Sequence, residues 1–309
     1  MSELTSEPGE LQSTLRPVRS ALFVPANREE WIEKSPTYGA DTVVLDLEDA
    51  TPLAQKAEAR EIVERVIPSL EQRGQGVWVR VNELDGPFIA GDVEACARPG
   101  VDAVCLPKVR GAQDIRELDS MLSYFEGKNG LPRGTIRIVP LLETAPAIAD
   151  AAEVFGASQR VAYGGGIVAT SGDVALAIGF QWSDTFEETH VLRAQVLIAA
   201  RAGAIHNPFT GLVTAVEPDP VRRFATESRA LGYEGMFVIY PTHVPIVNEV
   251  FRPSAAELAW SAEVIEAAEV AEGEERGAFV DSQGRMIDTA MLRVAHSLVE
   301  RDRLFEQPR

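Results

Sequence analysis

Eight short apolar runs, each followed by a stretch of helical composition, constrain this 309-residue chain more than any other feature. They read as strands at Ser20 to Val24, Thr42 to Leu47, Val77 to Val81, Ala103 to Leu106, Ile136 to Leu141, Val161 to Tyr163, Ala202 to Ile205 and Met236 to Ile239. Most are rich in Val, Leu or Ile, and intervening segments such as Ala54 to Val66 and Ala112 to Glu126 carry good helix formers. Strands buried on both faces and alternating with helices belong to a parallel sheet covered by helices. Eight βα units within about 220 residues suit an α/β (β/α)8 TIM barrel, which usually takes ~250 residues. A doubly wound sheet more often stops at roughly five to seven strands.

The polar residues that end these runs matter next. The second run closes on three carboxylates, Asp46, Glu48 and Asp49; the third carries Arg80 and Asn82, the fourth ends at Lys108, and the fifth ends at Glu143. The sixth opens into a glycine loop containing Gly172 and Asp173. In a (β/α)8 barrel these positions converge at the carboxyl ends of the strands, where the chemistry of that fold sits. Carboxylates crowded at one strand end repel one another unless a cation or a catalytic task uses them; the alternative is a solvated acidic turn in which Asp49 caps the helix beginning near Pro52.

Composition narrows the function classes. A net charge of −18 argues against binding a phosphate backbone and for no nucleic-acid partner, while leaving room for a small anionic ligand where local Arg, Lys or metal offsets the field. No apolar run reaches the ~20 residues that span a membrane, so no membrane role is expected. The first residues lack the basic region and apolar core of a signal peptide and read as a disordered tail over residues 1–15. Cys96 and Cys105, too few for a disulfide framework and without metal-ligand spacing, read as buried thiols of a cytoplasmic protein. The barrel is expected over residues 16–252. Residues 253–309 form a C-terminal lid or oligomerisation extension: an Ala/Glu-rich helix capped by Ser254 with Glu257, a small hairpin from Gly277 to Asp288, and a last helix from Thr289 to Asp302.

Seven pieces in register, RSALFVPANR (Arg19–Arg28), VLDLEDA (Val44–Ala50), VRVN (Val79–Asn82), LPK (Leu106–Lys108), LET (Leu142–Thr144), VNEVF (Val247–Phe251) and GRMID (Gly284–Asp288), resemble the citrate lyase beta-subunit-like group of the HpcH/HpaI aldolase superfamily. The likeness runs from about residue 16 to 302. It implies a barrel with a C-terminal extension, assembled as homotrimers or hexamers. The implied activity is Mg2+-dependent making or breaking of a carbon–carbon bond in acyl-CoA esters of hydroxy acids, of the citryl-, malyl- or citramalyl-CoA type. Mn2+ is the alternative metal. By their place in the motifs, Glu143 and Asp173 look like the metal carboxylates and Arg80 like the arginine gripping the substrate. Asp288 resembles the acid/base residue reaching in from a neighbouring subunit, a role compatible with capping the last helix.

The chemistry needs such groups. Cleaving a 3-hydroxyacyl-CoA requires removing the hydroxyl proton and stabilising the enolate of the thioester half; a hard cation on one or two carboxylates polarises the forming carbonyl, and a fixed planar guanidinium holds a carboxylate. Glu48 is a candidate for orienting water or tuning proton transfer. Lys108 is either a substrate contact or a strand-end lysine paired with the acids, and Gly172 lies in a loop whose amides can approach a substrate carboxylate. The chain departs from the family pattern in the long Tyr163 to Asp173 segment, with Gly172 where glutamate is common. Other departures are His206 or Asn207 at an expected acidic position after strand seven, and Tyr240-Pro241 in place of His-Pro. Arg28, Lys34 and Lys56 are basic candidates for CoA phosphates. Rival activities are malyl-CoA thioesterase, 2-oxo acid aldolase on free acids, and a non-catalytic subunit of a lyase complex.

Overall fold

The computed structural model describes residues 15–166, 172–273, 279–280 and 285–307. The expected tail of residues 1–15 lies almost wholly outside them, as do parts of the glycine loop and of the C-terminal hairpin.

Eight parallel strands close into a barrel in sequence order: β1 (Ser20–Pro25), β2 (Thr42–Asp46), β3 (Gly76–Arg80), β4 (Ala103–Leu106), β5 (Arg137–Leu142), β6 (Tyr163–Gly166), β7 (Asn207–Thr210) and β8 (Gly235–Val238), with β8 pairing back on β1. Helices follow the strands, as the (β/α)8 reading expects. The helix Lys56–Gln72 shows why they stay: Ala59, Ile62, Val63, Val66, Ile67 and Leu70 recur at helical spacing and bury one face against the barrel.

Alternation along the strands divides the core in two. Val43, Leu45, Val77, Val79, Val104, Ile138 and Leu142 face the helices. Their neighbours Val44, Trp78, Cys105, Val139, Leu141, Tyr163, Phe209 and Phe237 fill the interior, where Trp78 lies 4.9 Å from Tyr163 and 5.3 Å from Phe209, centroid to centroid. The aromatic layer makes the barrel a packed plug. The next inward position on three strands is polar: Asp46 two residues past Val44, Arg80 past Trp78, and Glu143 past Leu141.

Two strands differ from the expectation. The sixth run continues through Gly164 and Gly165 as a strand, so these glycines are not loop. At Gly165, φ is +159° and a Cβ would lie 1.9 Å from the Phe209 carbonyl oxygen, so only glycine permits the β6–β7 approach. The seventh strand is not Ala202 to Ile205. The helix His190–Ala202 runs through its start, the chain turns at Ala204 in a left-handed conformation (φ +54°), and the strand is Asn207–Thr210.

The chain divides into two contact units, Met1–Phe251 and Arg252–Arg309. Within the second, the helices Ala255–Gly273 and Thr289–Glu306 share an apolar cluster of Val264, Ile287 and Ala295. Ser254 and Glu257 form the expected reciprocal cap, with Ser254 N donating to Glu257 Oε2 (2.7 Å) and Glu257 N to Ser254 Oγ (3.2 Å). The short strands β9 (Phe279–Val280) and β10 (Met286–Ile287) pair antiparallel. Among the described residues no helix is long and apolar enough to cross a membrane.

Candidate active site

Asp46 and Arg80 form the rigid centre of the polar layer. Arg80 Nε donates to Asp46 Oδ1 (2.8 Å) and Nη2 to Oδ2 (2.6 Å), while Asp46 also accepts from the amides of Glu48 (2.9 Å) and Ala50 (3.1 Å). The Arg80 guanidinium stacks on Phe23, 5.0 Å from the ring centroid. Burial alone would lower Arg80, but Asp46 and Glu48 outweigh it and hold the guanidinium charged. Asp49 does not cap a helix: the helix that follows begins at Lys56 behind a short turn, and the exposed Asp49 lies 3.7 Å from Arg80 and 3.8 Å from Lys108.

Glu48 is buried behind this pair. Its Oε1 accepts from Lys108 Nζ (2.8 Å), and its Oε2 lies 3.0 Å from Arg80 Nη1, a charge contact without an aligned hydrogen bond. Burial raises the Glu48 carboxyl above its ordinary range, with Asp49 adding to the effect, against the pull of Arg80 and Lys108. Lys108 takes the paired-lysine reading: Nζ also donates to Glu83 (2.8 Å) and its amide to Glu143 Oε2 (3.1 Å), all from a left-handed backbone (φ +49°). A non-glycine residue held there is strained, and here one residue ties two acidic strand ends together.

Glu143 and Asp173 are both free of capping duty. The helix after β5 is capped by Thr144, whose hydroxyl accepts from Ala147 N at 3.2 Å, and Asp173 is the first residue of the helix Asp173–Ile178, with no side-chain cap there. Burial pushes Glu143 up to about 7; Glu48 and Asp173 add to this, and Arg80 and the Lys108 amide oppose it. Arg80 acts on this carboxylate without outweighing its burial. Among the described residues no group of three or more His, Cys, Asp and Glu is arranged to hold a metal by itself. Two carboxylates with the remaining positions open to water and substrate nonetheless fit Mg2+, which keeps several waters.

These residues border two cavities. The larger, of about 470 Å³, is lined by Asp46, Arg80, Glu143, Gly172 and Asp173 over apolar walls including Phe23, Leu141 and Phe237. The smaller, of about 240 Å³, holds Lys108, Glu83 and Arg110 and shares Glu143 and Asp173 with the first. Arg80, Glu143, Asp173 and Gly172 are thus brought together, with Glu48 and Lys108 directly behind or beside them. His206 and Asn207 are not part of this group. Asn207 opens β7 at the amino end, its Oδ1 accepting from Val18 N (2.9 Å) and its Nδ2 donating to the Val18 carbonyl (3.1 Å), and the His206 ring is edge-on to Tyr163. The strand begins five residues later than the apolar run suggests, which moves both to the opposite rim. In the second unit, Asp288 Oδ1 accepts from Met291 N (2.9 Å) and caps the last helix.

One residue of the site was misread from sequence. Lys56 is buried and unavailable to a phosphate: Nζ donates to the carbonyls of Leu47 (2.7 Å) and Glu48 (2.9 Å) and to Asn82 Oδ1 (2.6 Å). Asn82 in turn donates to Asp92 (2.6 Å), which accepts from Arg60 (2.6 Å). The signal was present, because Lys56 lies three residues before Ala59 and seven before Val63, on the helix's apolar stripe. Arg28 and Lys34 lie over Trp31 and Tyr38, at 5.7 and 5.8 Å.

A closed (β/α)8 barrel with acids and an arginine converging at its carboxyl mouth has the candidate site where barrel enzymes carry their chemistry. The comparisons name the family. A model of the HpcH/HpaI aldolase/citrate lyase family matches residues 19–241. The chain is 31% identical over 271 residues to the citrate lyase subunit beta of Leuconostoc mesenteroides subsp. cremoris, covering 87% of this chain and 88% of that one. It is 30% identical over 310 residues to the L-malyl-CoA/beta-methylmalyl-CoA lyase of Cereibacter sphaeroides, covering 92% and 94%. It is also similar to the solved structure of protein CitE from Mycobacterium tuberculosis in complex with magnesium, acetoacetate and coenzyme A, with a TM-score of 0.68, 27% identity, and 94% and 98% of the two chains covered. The chain belongs to the HpcH/HpaI aldolase/citrate lyase family and is a carbon–carbon lyase of that superfamily.

Proposed function

We propose that this lyase cleaves a hydroxyacyl-CoA ester of the citramalyl-, malyl- or citryl-CoA type into acetyl-CoA and a 2-oxo acid, with Mg2+ as cofactor. The observation that carries the reading is that Arg80 and Glu143, at the ends of β3 and β5, and Asp173, at the start of the helix Asp173–Ile178, line one cavity above an apolar floor. The magnesium and coenzyme A named with CitE, and the CoA esters named with the lyase relatives, support it.

Glu143 and Asp173 would hold the metal, with Mn2+ as a substitute. Bound there, Mg2+ supplies Lewis-acid polarisation of the hydroxyl that becomes the 2-oxo carbonyl. Arg80, kept planar and fixed by Asp46, holds the carboxylate of the oxo-acid half through its remaining donors. Glu48 tunes the proton inventory beside Arg80. Gly172 contacts substrate on the wall of the larger cavity, and Lys108, paired with Glu48 and Glu83, holds the acids beside the smaller one. Asp288 of a neighbouring subunit takes the hydroxyl proton; as the carbon–carbon bond breaks, its electron pair passes into the thioester enolate, which is protonated at carbon to give acetyl-CoA. This role requires a homo-oligomer, trimer or hexamer. A cytoplasmic location suits an enzyme of CoA esters.

The test is chromatographic product analysis after incubation with malyl-, citramalyl- and citryl-CoA, with and without Mg2+. Metal-dependent release of acetyl-CoA with the matching 2-oxo acid is expected. Free CoA with intact hydroxy acid would make the protein a thioesterase. No turnover of any ester would leave an aldolase of free acids or a non-catalytic subunit.

A further inference from the structure

Resting on the metal role proposed for Glu143, we infer that Lys108 is a positioning residue that works through its backbone: a left-handed turn at this residue presents the amide that orients Glu143, and its ammonium, fastened to Glu48 and Glu83, holds the turn in place. Among the described residues three that are not glycine have a positive φ, Lys108, Phe186 and Ala204, and of these only Lys108 borders either cavity. Lysine has no intrinsic reason to stand at φ +49°: its β-carbon crowds the following carbonyl there, and it has no short polar side chain to bond locally and relieve the strain, as asparagine has. Something outside the residue must hold it.

The chain on either side shows why the turn matters. The register of β4 on β5 ends with Leu106 opposite Pro140, and Pro107 follows, so neither proline offers an N–H to carry the ladder on toward the mouth. Beyond that point the strand ends are joined by bonds that need residues 108 and 109 in place: the Lys108 amide donates to Glu143 Oε2 (3.1 Å), and the Thr144 hydroxyl donates to the Val109 carbonyl (2.7 Å).

The ammonium supplies the hold. Nζ donates to Glu48 Oε1 and to Glu83 Oε1, each at 2.8 Å. Glu48 lies two residues past β2 and Glu83 three past β3, so one side chain ties the turn to two other strand ends. The charge of Lys108 is thereby directed to acids other than Glu143, which receives a neutral amide from the same residue. An amide sets the rotation of a carboxylate and leaves its charge for a cation, where an ammonium in the same place would repel one.

The experiment compares the full wild-type chain with Lys108→Met and Lys108→Gly. Both variants lose the ammonium, but only glycine enters the left-handed region at no steric cost. Mg2+ affinity is measured by calorimetry beside the melting temperature, and metal-free crystal structures give the backbone at residue 108. Without the tether, methionine should hold the turn in about a tenth of molecules, so Mg2+ should bind roughly 10-fold more weakly. Lys108→Gly should stay within about threefold of wild type, although both variants melt earlier. Were Lys108 to act by charge, removing a cation beside the acids would tighten Mg2+ binding in both variants, and that result would overturn the inference. Equal weakening in both, unchanged affinity in Lys108→Met, or a left-handed methionine in its crystal structure would overturn it too. A wild-type chain that binds no Mg2+, with residue 108 left-handed in Lys108→Gly and released in Lys108→Met, would sustain the latch and count instead against the metal role of Glu143.

Discussion

Replacing Lys56 by methionine keeps the aliphatic stem on the helix's apolar face and removes three donors at once. The structure sets the cost. The Leu47 carbonyl retains Asn82 Nδ2 at 3.1 Å and the Glu48 carbonyl retains Thr51 N at 3.0 Å; only Asn82 Oδ1 loses the donor recorded for it. Hydrogen bonds to a charged group are worth about 1.5–3 kcal/mol each, but the methionine also removes the penalty of burying an ammonium, a burial that lowers Lys56 from its ordinary value. The net loss is therefore about 2–4 kcal/mol, nearer one unsatisfied amide than three broken bonds. That corresponds to a fall in melting temperature of roughly 5–15 °C. Catalysis should suffer separately, because Lys56 anchors the peptide that aims Glu48, whereas Arg80 stays locked by Asp46. We expect kcat to drop about tenfold, equivalent to ~1.4 kcal/mol, with KM changed less than twofold. Thermal unfolding and steady-state kinetics of Lys56→Met beside Lys128→Met, a surface control, provide the assay. A destabilised variant with wild-type kcat would refute the positioning role, and an undisturbed melting temperature would refute the hydrogen-bond accounting.

The remaining expectations concern the site and its supports. Arg80→Lys keeps the charge but loses the forked pair with Asp46, so kcat/KM should fall about 100-fold; activity within threefold of wild type would remove Arg80 from the substrate site. Because Glu143 is raised to about 7, its protonated form competes with Mg2+ below that pH: calorimetric affinity should rise about tenfold from pH 6 to pH 8. Glu143→Gln should bind more weakly and without that slope, and Asp173→Asn more weakly with it. Burial would raise Glu126 and Asp119, but Arg160 and other hydrogen-bond donors hold both below their ordinary values. Their stabilisation is thus complete above the unfolded values near ~4 and is lost as pH falls through the lower folded ones. The gap in urea midpoint between wild type and Glu126→Gln should be level from pH 7 to 5 and then shrink as pH falls, and Glu126→Gln should cost about 3 kcal/mol at pH 7. If Asp288 acts across a subunit boundary, mixed oligomers of inactive Asp288→Ala and Glu143→Ala chains should regain activity, whereas no recovery after verified exchange would place it elsewhere.

The barrel was legible because burial on both faces imposes continuous apolar runs, and β1 to β5 and β8 fall where those runs lie. The seventh strand was not, because Ala202 to Ile205 is apolar for another reason: it ends a helix whose Ala200 packs in the core, and Ile205 fills the turn after it. The true strand, Asn-Pro-Phe-Thr, looks like a loop, since proline seldom enters a sheet and only Phe209 advertises burial. Glu143 and Arg80 could be placed because each ends a run and falls in inward phase with Leu141 and Trp78. Lys108 and Lys56 resisted because their roles depend on a left-handed backbone and on a buried ammonium among carbonyls, which composition does not encode.

The same alternation that builds the plug also explains why the polar centre can exist. Trp78, Tyr163, Phe209 and Phe237 close the interior beneath Arg80 and Glu143, so the polar layer rests on a dry floor, where charges interact strongly and unpaired ones are costly. Around that rim lie the acids Asp46, Glu48, Asp49, Glu83, Glu143 and Asp173 with the cations Arg80 and Lys108; Arg110 pairs with Asp85 at the smaller cavity, and Lys56 is buried behind them. Arg80 is committed to Asp46 and Glu48 and Lys108 to Glu48 and Glu83, while Lys56 holds the backbone behind them. Among the described residues Glu143 accepts a hydrogen bond only from the Lys108 amide. Glu143 and Asp173 meet where the two cavities join, and on the proposed function a hard cation held between them would supply the missing charge.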